Sequence, residues 1–201
     1  MQSCPDYKQY KLYLASLSPR RKELLAQLGF QFDVVSVNID ETPLFNESAK
    51  KYVARLAVGK ASAGLLQIDN DGASPVVIGA DTSVVLDGDI MGKPESKAHA
   101  VDMLMRLSGR EHSVLTGVAV LSNSKQNVQV NESIVRMCQI TSAEAASYWH
   151  TGEPIGKAGG YAIQGLAAVY ISHLAGSYSG VMGLPLFETN ELLSPYFGYS
   201  K

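Results

Sequence analysis

A run of β-forming apolar residues at positions 75–80, followed directly by Asp81, constrains the fold of this chain more than any other segment. Such a run predicts a buried strand. In open α/β sheets, ligands gather beyond the carboxyl ends of the strands, which is where the sequence places Asp81. This aspartate could bind a cation or deprotonate a water molecule, but a simple turn residue in that place would have the same pattern.

Strand and helix patterns alternate over the first half of the chain, and β-rich segments follow. Ser18 is placed to cap a helix that begins at Pro19 and closes at Gly29. Thr141 and Glu144 have the spacing of a capping box. These patterns predict an α/β to α+β fold around a substantial central sheet. The other predicted strands cover residues 11–15, 32–37, 83–86, 90–91, 113–121, 128–140 and 166–174, and the other helices cover 47–68, 96–107, 142–150 and 185–193.

The 201 residues and 46% hydrophobic content are typical of one folded domain, taken as residues 1–201. Seventeen basic against 19 acidic residues give a net charge of −2, which argues against nucleic acid or an anionic membrane as a partner. No apolar run approaches the ~20 residues of a membrane helix, and the N-terminus lacks the apolar core of a signal peptide. Cys4 and Cys138 have no disulfide or metal-site spacing, so we expect a reducing cytoplasm, with Cys138 as a small core residue.

The first predicted strand–helix junction carries two hydroxyls and two guanidinium groups, those of Ser16, Ser18, Arg20 and Arg21. A helix N-terminus offers unpaired backbone N–H groups and the positive end of the helix dipole. Arginines in the first turn oppose that dipole and are mildly unfavourable unless an anion is bound. The junction is therefore a candidate phosphate cradle, although an ordinary N-cap followed by surface arginines has the same sequence.

Three lysines and an acidic loop add candidate binding groups. Lys60 falls on the apolar stripe of its predicted helix, so its side chain either extends outward to solvent or points into a cleft. Asp40 and Glu41 could hold a hard cation such as Mg²⁺, or could form a solvated acidic loop. Lys93 and Lys157 each follow a glycine in a constrained loop. The glycine spacing around Lys157 excludes a Walker P-loop, but glycines still let backbone N–H groups approach an anion.

The chain carries, in this order, the segments LASLSPRRKELL, the Asp40-Glu41 loop, residues 52–61 with Lys60, GADTSVVLDGDIMGKP, LSGREHSVLTGVAV, GKAGGYAIQG and GSYSGVMGLPL. Together these segments resemble the Maf family of nucleotide pyrophosphatases, once described as inhibitors of septum formation. The resemblance covers residues 12–193. It implies an ITPase-like fold of the Maf and Ham1 type, in which a mixed central sheet forms two lobes around an active-site cleft.

The resemblance also implies a reaction, the hydrolysis of a nucleoside triphosphate to the monophosphate and pyrophosphate with a divalent cation (Mg²⁺, Mn²⁺ or Co²⁺). It implies that Asp81 is the general base, and that Asp81 and Glu41 bind the metal. Arg20, Thr82 and Gln164 match positions associated with substrate choice in the subfamily that hydrolyses dTTP and UTP. The other matched cleft positions are Ser16, Arg21, Lys60 and Lys93, and Lys157 is placed with them as a substrate-binding residue.

One position departs from the family pattern. Many family members carry an aspartate immediately before the KAG segment, where this chain has Gly156. If that aspartate binds metal, this protein has one ligand fewer. The amide of Gln164 offers a donor and an acceptor that complement the imide edge of uracil or thymine, so we hypothesise that it reads the base. A homodimer is a further expectation from the family.

The main alternative is a nucleotide-binding regulator of septum formation or cell division, in which hydrolysis is incidental. Replacing Asp81 with Asn distinguishes the two, because a division phenotype that survives without pyrophosphate release would favour the regulator. A nucleic-acid-binding module is a third hypothesis, and the net charge of −2 argues against it.

Overall fold

A computed structural model describes residues 10–69 and 72–198, which fold around a central seven-stranded sheet. The strands are β1 (Tyr10–Leu14), β2 (Asp33–Val34), β3 (Ser74–Leu86), β4 (Asp89–Met91), β5 (Glu111–Ser122), β6 (Gln126–Met137) and β7 (Ile171–Ala175). β1 pairs in parallel with β2 and β3, whereas β3, β5, β6 and β7 pair antiparallel in that order. β4 is joined to β3 as a hairpin. The mixed α/β sheet that the sequence predicted is confirmed.

Six α-helices pack around the sheet in the described part of the chain. They are α1 (Pro19–Gln27), α2 (Ala49–Leu65), α3 (Lys97–Leu107), α4 (Ser142–His150), α5 (Tyr178–Met182) and α6 (Leu186–Phe197), and short 3₁₀ turns cover Ala158–Gly160 and Leu166–Tyr170. The predicted capping box of Thr141 and Glu144 is present at the start of α4. None of these helices is both long and apolar enough to cross a membrane.

One edge of β3 changes its partner halfway along. The first half of β3 pairs with β1 as far as Ile78, and the last residues pair with β4 from Val84 onward. Between these stretches, residues 79–83 pair with β5 on one side and with no described strand on the other. The resulting gap lies beside Asp81 and Thr82, just beyond the carboxyl end of β1, which is where ligands gather in α/β sheets.

Helix α2 covers one face of the sheet at very close range. Its buried stripe, which includes Leu56 and Ala57, packs against β3 and β5. Gly79 in β3 and Gly117 in β5 make this approach possible, because a Cβ at either position would overlap backbone atoms of α2. The helix is therefore held directly over the part of β3 that contains the gap.

The opposite face carries two clusters of buried apolar side chains, one toward each end of β3. Leu25 of α1 and Leu193 of α6 belong to the first cluster, which includes Ile78. Leu104 of α3 belongs to the second cluster, which includes Leu86. The gap lies between Ile78 and Leu86 along β3. The two clusters therefore form lobes on either side of the gap.

The structure corrects the predicted end of the central strand. β3 does not end at Asp81 but continues to Leu86. It continues because β5 pairs with it without interruption from Val76 to Val85. The carboxylate therefore reaches the gap from the middle of a strand, and the nearby strand end belongs to β1.

Two other predicted strands were wrong in part. The strand predicted at 32–37 is reduced to Asp33–Val34, the two residues that pair with the end of β1. The strand predicted at 166–174 begins as a 3₁₀ turn, because the carboxylate of Glu153 accepts the N–H groups of its first two residues. The short helix α5 was not predicted.

Two predictions about single side chains were also wrong. Cys138 is exposed instead of buried, because it follows the last residue of β6 and leaves the sheet. Ser18 occupies the N-cap position of α1, but its side chain makes no capping hydrogen bond. Its own N–H is instead 3.3 Å from Ser16 Oγ. Cys4 lies outside the described residues.

Candidate active site

The aspartate at the gap is buried and paired with a lysine. Asp81 is only 7% exposed, and its Oδ1 accepts a hydrogen bond from Lys60 Nζ at 2.7 Å. Lys60 reaches the strand from α2 because Gly79 lets that helix lie close. Its position on the apolar stripe therefore directs the ammonium into the cleft, which resolves the two possibilities that the sequence left open.

The same ammonium binds a second carboxylate. Lys60 Nζ is 2.7 Å from Glu41 Oε1, and Lys93 Nζ is 3.2 Å from Glu41 Oε2. Asp40 turns away into its own loop, where it accepts the N–H of Thr42 at 2.8 Å. Of the two acidic residues in this loop, Glu41 belongs to the site and Asp40 does not.

The two carboxyl groups around Lys60 differ in basicity. Burial raises the pKa of Asp81 above its ordinary value, although Lys60 and the charge of Arg21 oppose this effect. Burial acts in the same direction on Glu41, but hydrogen bonds and charges from Lys60 and Lys93 hold its pKa below its ordinary value. Asp81 is therefore the better proton acceptor, while Glu41 stays ionised.

On the other side of the gap, Arg21 connects the start of α1 to β3. Its Nε donates to the carbonyl oxygen of Gly183 at 2.8 Å. Its two terminal nitrogens lie 3.4 Å from Ser16 Oγ and 3.3 Å from Thr82 Oγ1. Burial lowers the pKa of Arg21, and the nearby charge of Asp81 opposes that shift. This guanidinium is fixed at the gap and is not a surface side chain.

A buried threonine that the sequence analysis missed completes a chain of hydrogen bonds. Thr116, 1% exposed, donates to the carbonyl oxygen of Gly180 at 2.7 Å and lies 2.9 Å from Thr82 Oγ1. Because its proton is used toward Gly180, Thr116 accepts the proton of Thr82, and Thr82 accepts from Arg21. Thr116 stands opposite Thr82 in the β3–β5 register, a pairing that its apolar sequence context does not reveal.

Two further cations line the cleft. Arg20 Nε donates to the carbonyl oxygen of Met182 at 3.1 Å, and Lys157 Nζ donates to that of Ile155 at 3.2 Å. Burial lowers the pKa of both groups, and the charge of Arg20 lowers that of Lys157 further. Two like charges held this close in a cleft favour a bound anion.

The cleft that these groups share has a volume of about 200 Å³. Gly156, with φ +71°, and the exposed side chain of Gln164 lie on its wall. Ser16 and Glu41 join the site through their contacts with Arg21 and with the two lysines. The other predicted site residues all line the cleft, and they are Arg20, Arg21, Lys60, Asp81, Thr82, Lys93, Lys157 and Gln164.

The carboxylates of the site suit a divalent cation that arrives with its substrate. The described residues contain no group of three or more His, Cys, Asp or Glu side chains that could hold a metal ion. Glu41 and Asp81 nevertheless converge on one positive charge, the ammonium of Lys60. Mg²⁺ is commonly held by one or two carboxylates together with substrate phosphates, so this donor set fits such an ion. Gly156 contributes no further carboxylate.

Comparison with known proteins places the chain among relatives of similar length. The profile of the family described as Maf-like protein matches residues 11–196. The dTTP/UTP pyrophosphatase of Alkalilimnicola ehrlichii is 46% identical over 194 residues, which cover 96% of this chain and 95% of the relative. The dTTP/UTP pyrophosphatase of Vibrio vulnificus is 48% identical over 187 residues, which cover 93% of this chain and 99% of the relative.

Solved structures match over a smaller part of the chain. The Staphylococcus aureus Ham1 protein has a TM-score of 0.46 and 13% sequence identity, and the match covers 63% of this chain and 71% of that chain. The family profile, in contrast, extends from the first residues of β1 into the last turn of α6. The chain thus belongs to the family of Maf-like proteins.

Proposed function

We propose that this protein hydrolyses dTTP or UTP at the bond between the α- and β-phosphates, releasing the nucleoside monophosphate and pyrophosphate. The observation that carries the proposal is the buried Asp81, hydrogen-bonded to Lys60, at a sheet gap lined by five cationic side chains. The substrate class follows from the two relatives at 46% and 48% identity, both named dTTP/UTP pyrophosphatase.

The cations of the cleft bind the triphosphate. Arg20, Arg21 and Lys157 are held by contacts to main-chain carbonyl groups, so they need little reorganisation when the substrate arrives. The N-terminus of α1 adds backbone N–H groups beside them. Attack at the α-phosphorus builds negative charge on the leaving pyrophosphate, and fixed positive charges stabilise that charge in the transition state.

Asp81 accepts the proton of the attacking water. Its Oδ1 is hydrogen-bonded to Lys60, so Oδ2 takes the proton. Burial raises the pKa of this carboxyl group above its ordinary value, which makes it a stronger base than an exposed aspartate. Lys60 also keeps the carboxylate in one orientation, and it holds Glu41 beside it.

Glu41 and Asp81 are the side chains that would hold a divalent cation in this site. When bound, Mg²⁺, Mn²⁺ or Co²⁺ would neutralise phosphate charge and make the attacking water more acidic. Before the substrate enters, the ammonium of Lys60 supplies the positive charge with which both carboxylates are paired.

Selection of the base falls to three residues on the wall of the cleft. Gln164 presents an amide that complements the N–H and C=O groups of a uracil or thymine edge. Thr82 and Arg20, at the other positions tied to substrate choice by the family resemblance, lie on the wall of the same cleft.

The proposal is tested by incubating the protein with a panel of nucleoside triphosphates and each cation, and identifying the products. We expect UTP and dTTP to give the monophosphate and pyrophosphate. Asp81→Asn should lower kcat by about 10³-fold, the size of effect typical for loss of a general base. Asp89→Asn, at an exposed position in β4, serves as the matched control.

Release of orthophosphate without pyrophosphate would overturn the proposed bond cleavage. Tight nucleotide binding by the wild-type protein without any turnover would favour the regulator of cell division instead.

The remaining expectations stay predictions. They are a single functional domain over residues 1–201, a cytoplasmic location, a homodimer and no affinity for nucleic acid. Sedimentation of the purified chain tests the homodimer, and retention on immobilised DNA at moderate salt tests the last of them.

A further inference from the structure

The turn that carries Gln164 lies in a segment without extended regular structure, so something else must fix its position. Residues 162–165 form a tight turn, closed by the N–H of Gly165 bonding to the carbonyl oxygen of Ala162 at 3.1 Å. Gln164 is the third residue of this turn. An amide that reads a base must be held to within a fraction of an ångström, which a free surface turn does not achieve.

The carboxylate of Glu153 binds the chain immediately after this turn. Its Oε2 accepts the N–H of Leu166 at 2.9 Å, and its Oε1 accepts the N–H of Ala167 at 3.3 Å. Gly165 leaves room for the carboxylate, because a Cβ at that position would overlap both of its oxygens. Glu153 thus fixes the exit from the turn against the first residues of the following 3₁₀ helix.

The phenol of Tyr148 binds the entrance to the same turn. Its oxygen accepts the N–H of Ala162 at 3.2 Å and donates to Glu153 Oε1 at 2.6 Å. Tyr148 is 3% exposed and belongs to α4, which the capping box of Thr141 and Glu144 fixes at its start. The two ends of the turn are therefore joined through the hydrogen bond between Tyr148, on α4, and Glu153, which follows that helix.

The charge states of the pair support this arrangement. Burial alone would raise the pKa of Glu153, but its hydrogen bonds from Tyr148 and from the two backbone N–H groups hold that pKa below its ordinary value. Burial raises the pKa of Tyr148, so its hydroxyl keeps its proton. An ionised carboxylate and a protonated phenol are the states that these hydrogen bonds require.

We propose that Glu153 and Tyr148 form a clamp that positions the Gln164 turn and thereby determines which base the cleft accepts. This inference rests on the proposed function, since it assigns selectivity to the same cleft. Glu153 does not line the cleft, so it acts as a positioning residue. Selectivity is affected more than phosphate chemistry, because the clamp contacts neither Asp81 nor the cationic side chains of α1. Burial lowers the pKa of Lys157, and the charge of Glu153 opposes that shift. The variants Gly165→Ala and Tyr148→Phe keep that charge.

Glu153→Gln tests the clamp, because the new amide nitrogen cannot accept a backbone N–H. We expect the kcat/KM ratio of UTP to GTP to fall by about tenfold, corresponding to one misplaced hydrogen bond of ordinary strength. Hydrolysis of ribose 5-triphosphate, which has no base, should stay within about twofold of wild type. Gln164→Ala gives the loss of preference expected when the amide itself is removed.

Two further variants reach the clamp by other routes. Gly165→Ala displaces the Glu153 carboxylate without changing it, and Tyr148→Phe removes the hydroxyl that joins the two ends. Both should lower the same ratio. Glu132→Gln is the matched control, because Glu132 also accepts a hydrogen bond, that of Ser113 Oγ at 2.9 Å, but is exposed on β6, away from both the clamp and the cleft wall. It should leave the ratio unchanged.

The outcomes separate the clamp from the proposed function. If wild type prefers UTP and Glu153→Gln keeps that preference while remaining folded, the clamp has no role in selectivity. Equal losses on UTP and on ribose 5-triphosphate would also overturn the inference, because they would show a general effect on the cleft. A wild-type ratio near one would instead overturn the proposed substrate class, and the clamp's role in selectivity with it.

Discussion

His112 is a buried residue whose surroundings penalise its charged form. It is 3% exposed, its Nε2 lies 2.7 Å from Tyr161 Oη, and its Nδ1 has no hydrogen-bond partner among the described residues. Burial lowers its pKa to about 4, so the folded protein keeps the ring neutral. The unfolded chain takes up the proton near pH 6.5, and it therefore binds more protons than the fold between pH 6.5 and 4.

We expect stability to fall as the pH decreases through that range. The contribution of His112 is on the order of 3 kcal/mol of unfolding free energy between pH 7 and pH 4. His112→Gln keeps a polar group opposite Tyr161 but does not titrate, so its profile should be flatter by that amount. Urea unfolding at each pH gives the free energy of unfolding of both proteins. The carboxyl groups titrate in both proteins, so their contributions cancel in the difference between the two profiles. Parallel profiles would show that His112 is not penalised in the fold.

Three charged residues of the site could be predicted because each breaks a local rule. Arg20 and Arg21 stand in the first turn of a helix, where positive charge is unfavourable, and Lys60 interrupts an apolar stripe. Thr116 and Glu153 break no such rule. Their roles depend on contacts with residues 34 and 13 positions away, which only strand register and loop packing create.

At the scale of the elements, helices were easier to predict than strand ends. Caps are local, and the side chains of Ser48, Ser96 and Thr141 all accept the N–H groups at the starts of their helices, whereas that of Ser18 does not. The end of β3 is not local, because it depends on how far β5 runs alongside it. From the sequence alone, the polar Asp81 suggests that the strand ends there. The pairing with β5 shows that the strand continues past it.

The close contact of α2 with the sheet gives an element-scale prediction. Gly79→Ala should cost about 3 kcal/mol, because its Cβ overlaps the carbonyl oxygen of Ala57, a backbone atom that cannot move without the helix. A displaced α2 also carries Lys60 away from Asp81, so kcat should fall with stability. Gly92→Ala, at a position open to space, should change stability by less than about 0.5 kcal/mol. Denaturant unfolding and steady-state kinetics measure both variants, and a stable, active Gly79→Ala would mean that α2 does not rest on the strand.

At the scale of the whole molecule, the charges are distributed unevenly. The cleft contains five cationic side chains, while Asp81 and Glu41 are the carboxylates among its assigned residues, which leaves a surplus of three positive charges. The entire chain carries −2, so the rest of it carries −5. A negative exterior repels large polyanions, whereas the field inside the cleft attracts a small one.

This distribution predicts how activity depends on salt. The kcat/KM for UTP should fall by about tenfold as ionic strength rises from about 0.05 M to about 0.5 M, because salt screens the attraction between the cleft and the triphosphate. Lys157→Gln should weaken that dependence. Lys125→Gln changes the net charge equally, but at an exposed position in the turn between β5 and β6, so it should leave the dependence unchanged. If both variants weaken the salt dependence equally, the substrate is attracted by the total charge of the protein, and the cationic cleft makes no separate contribution.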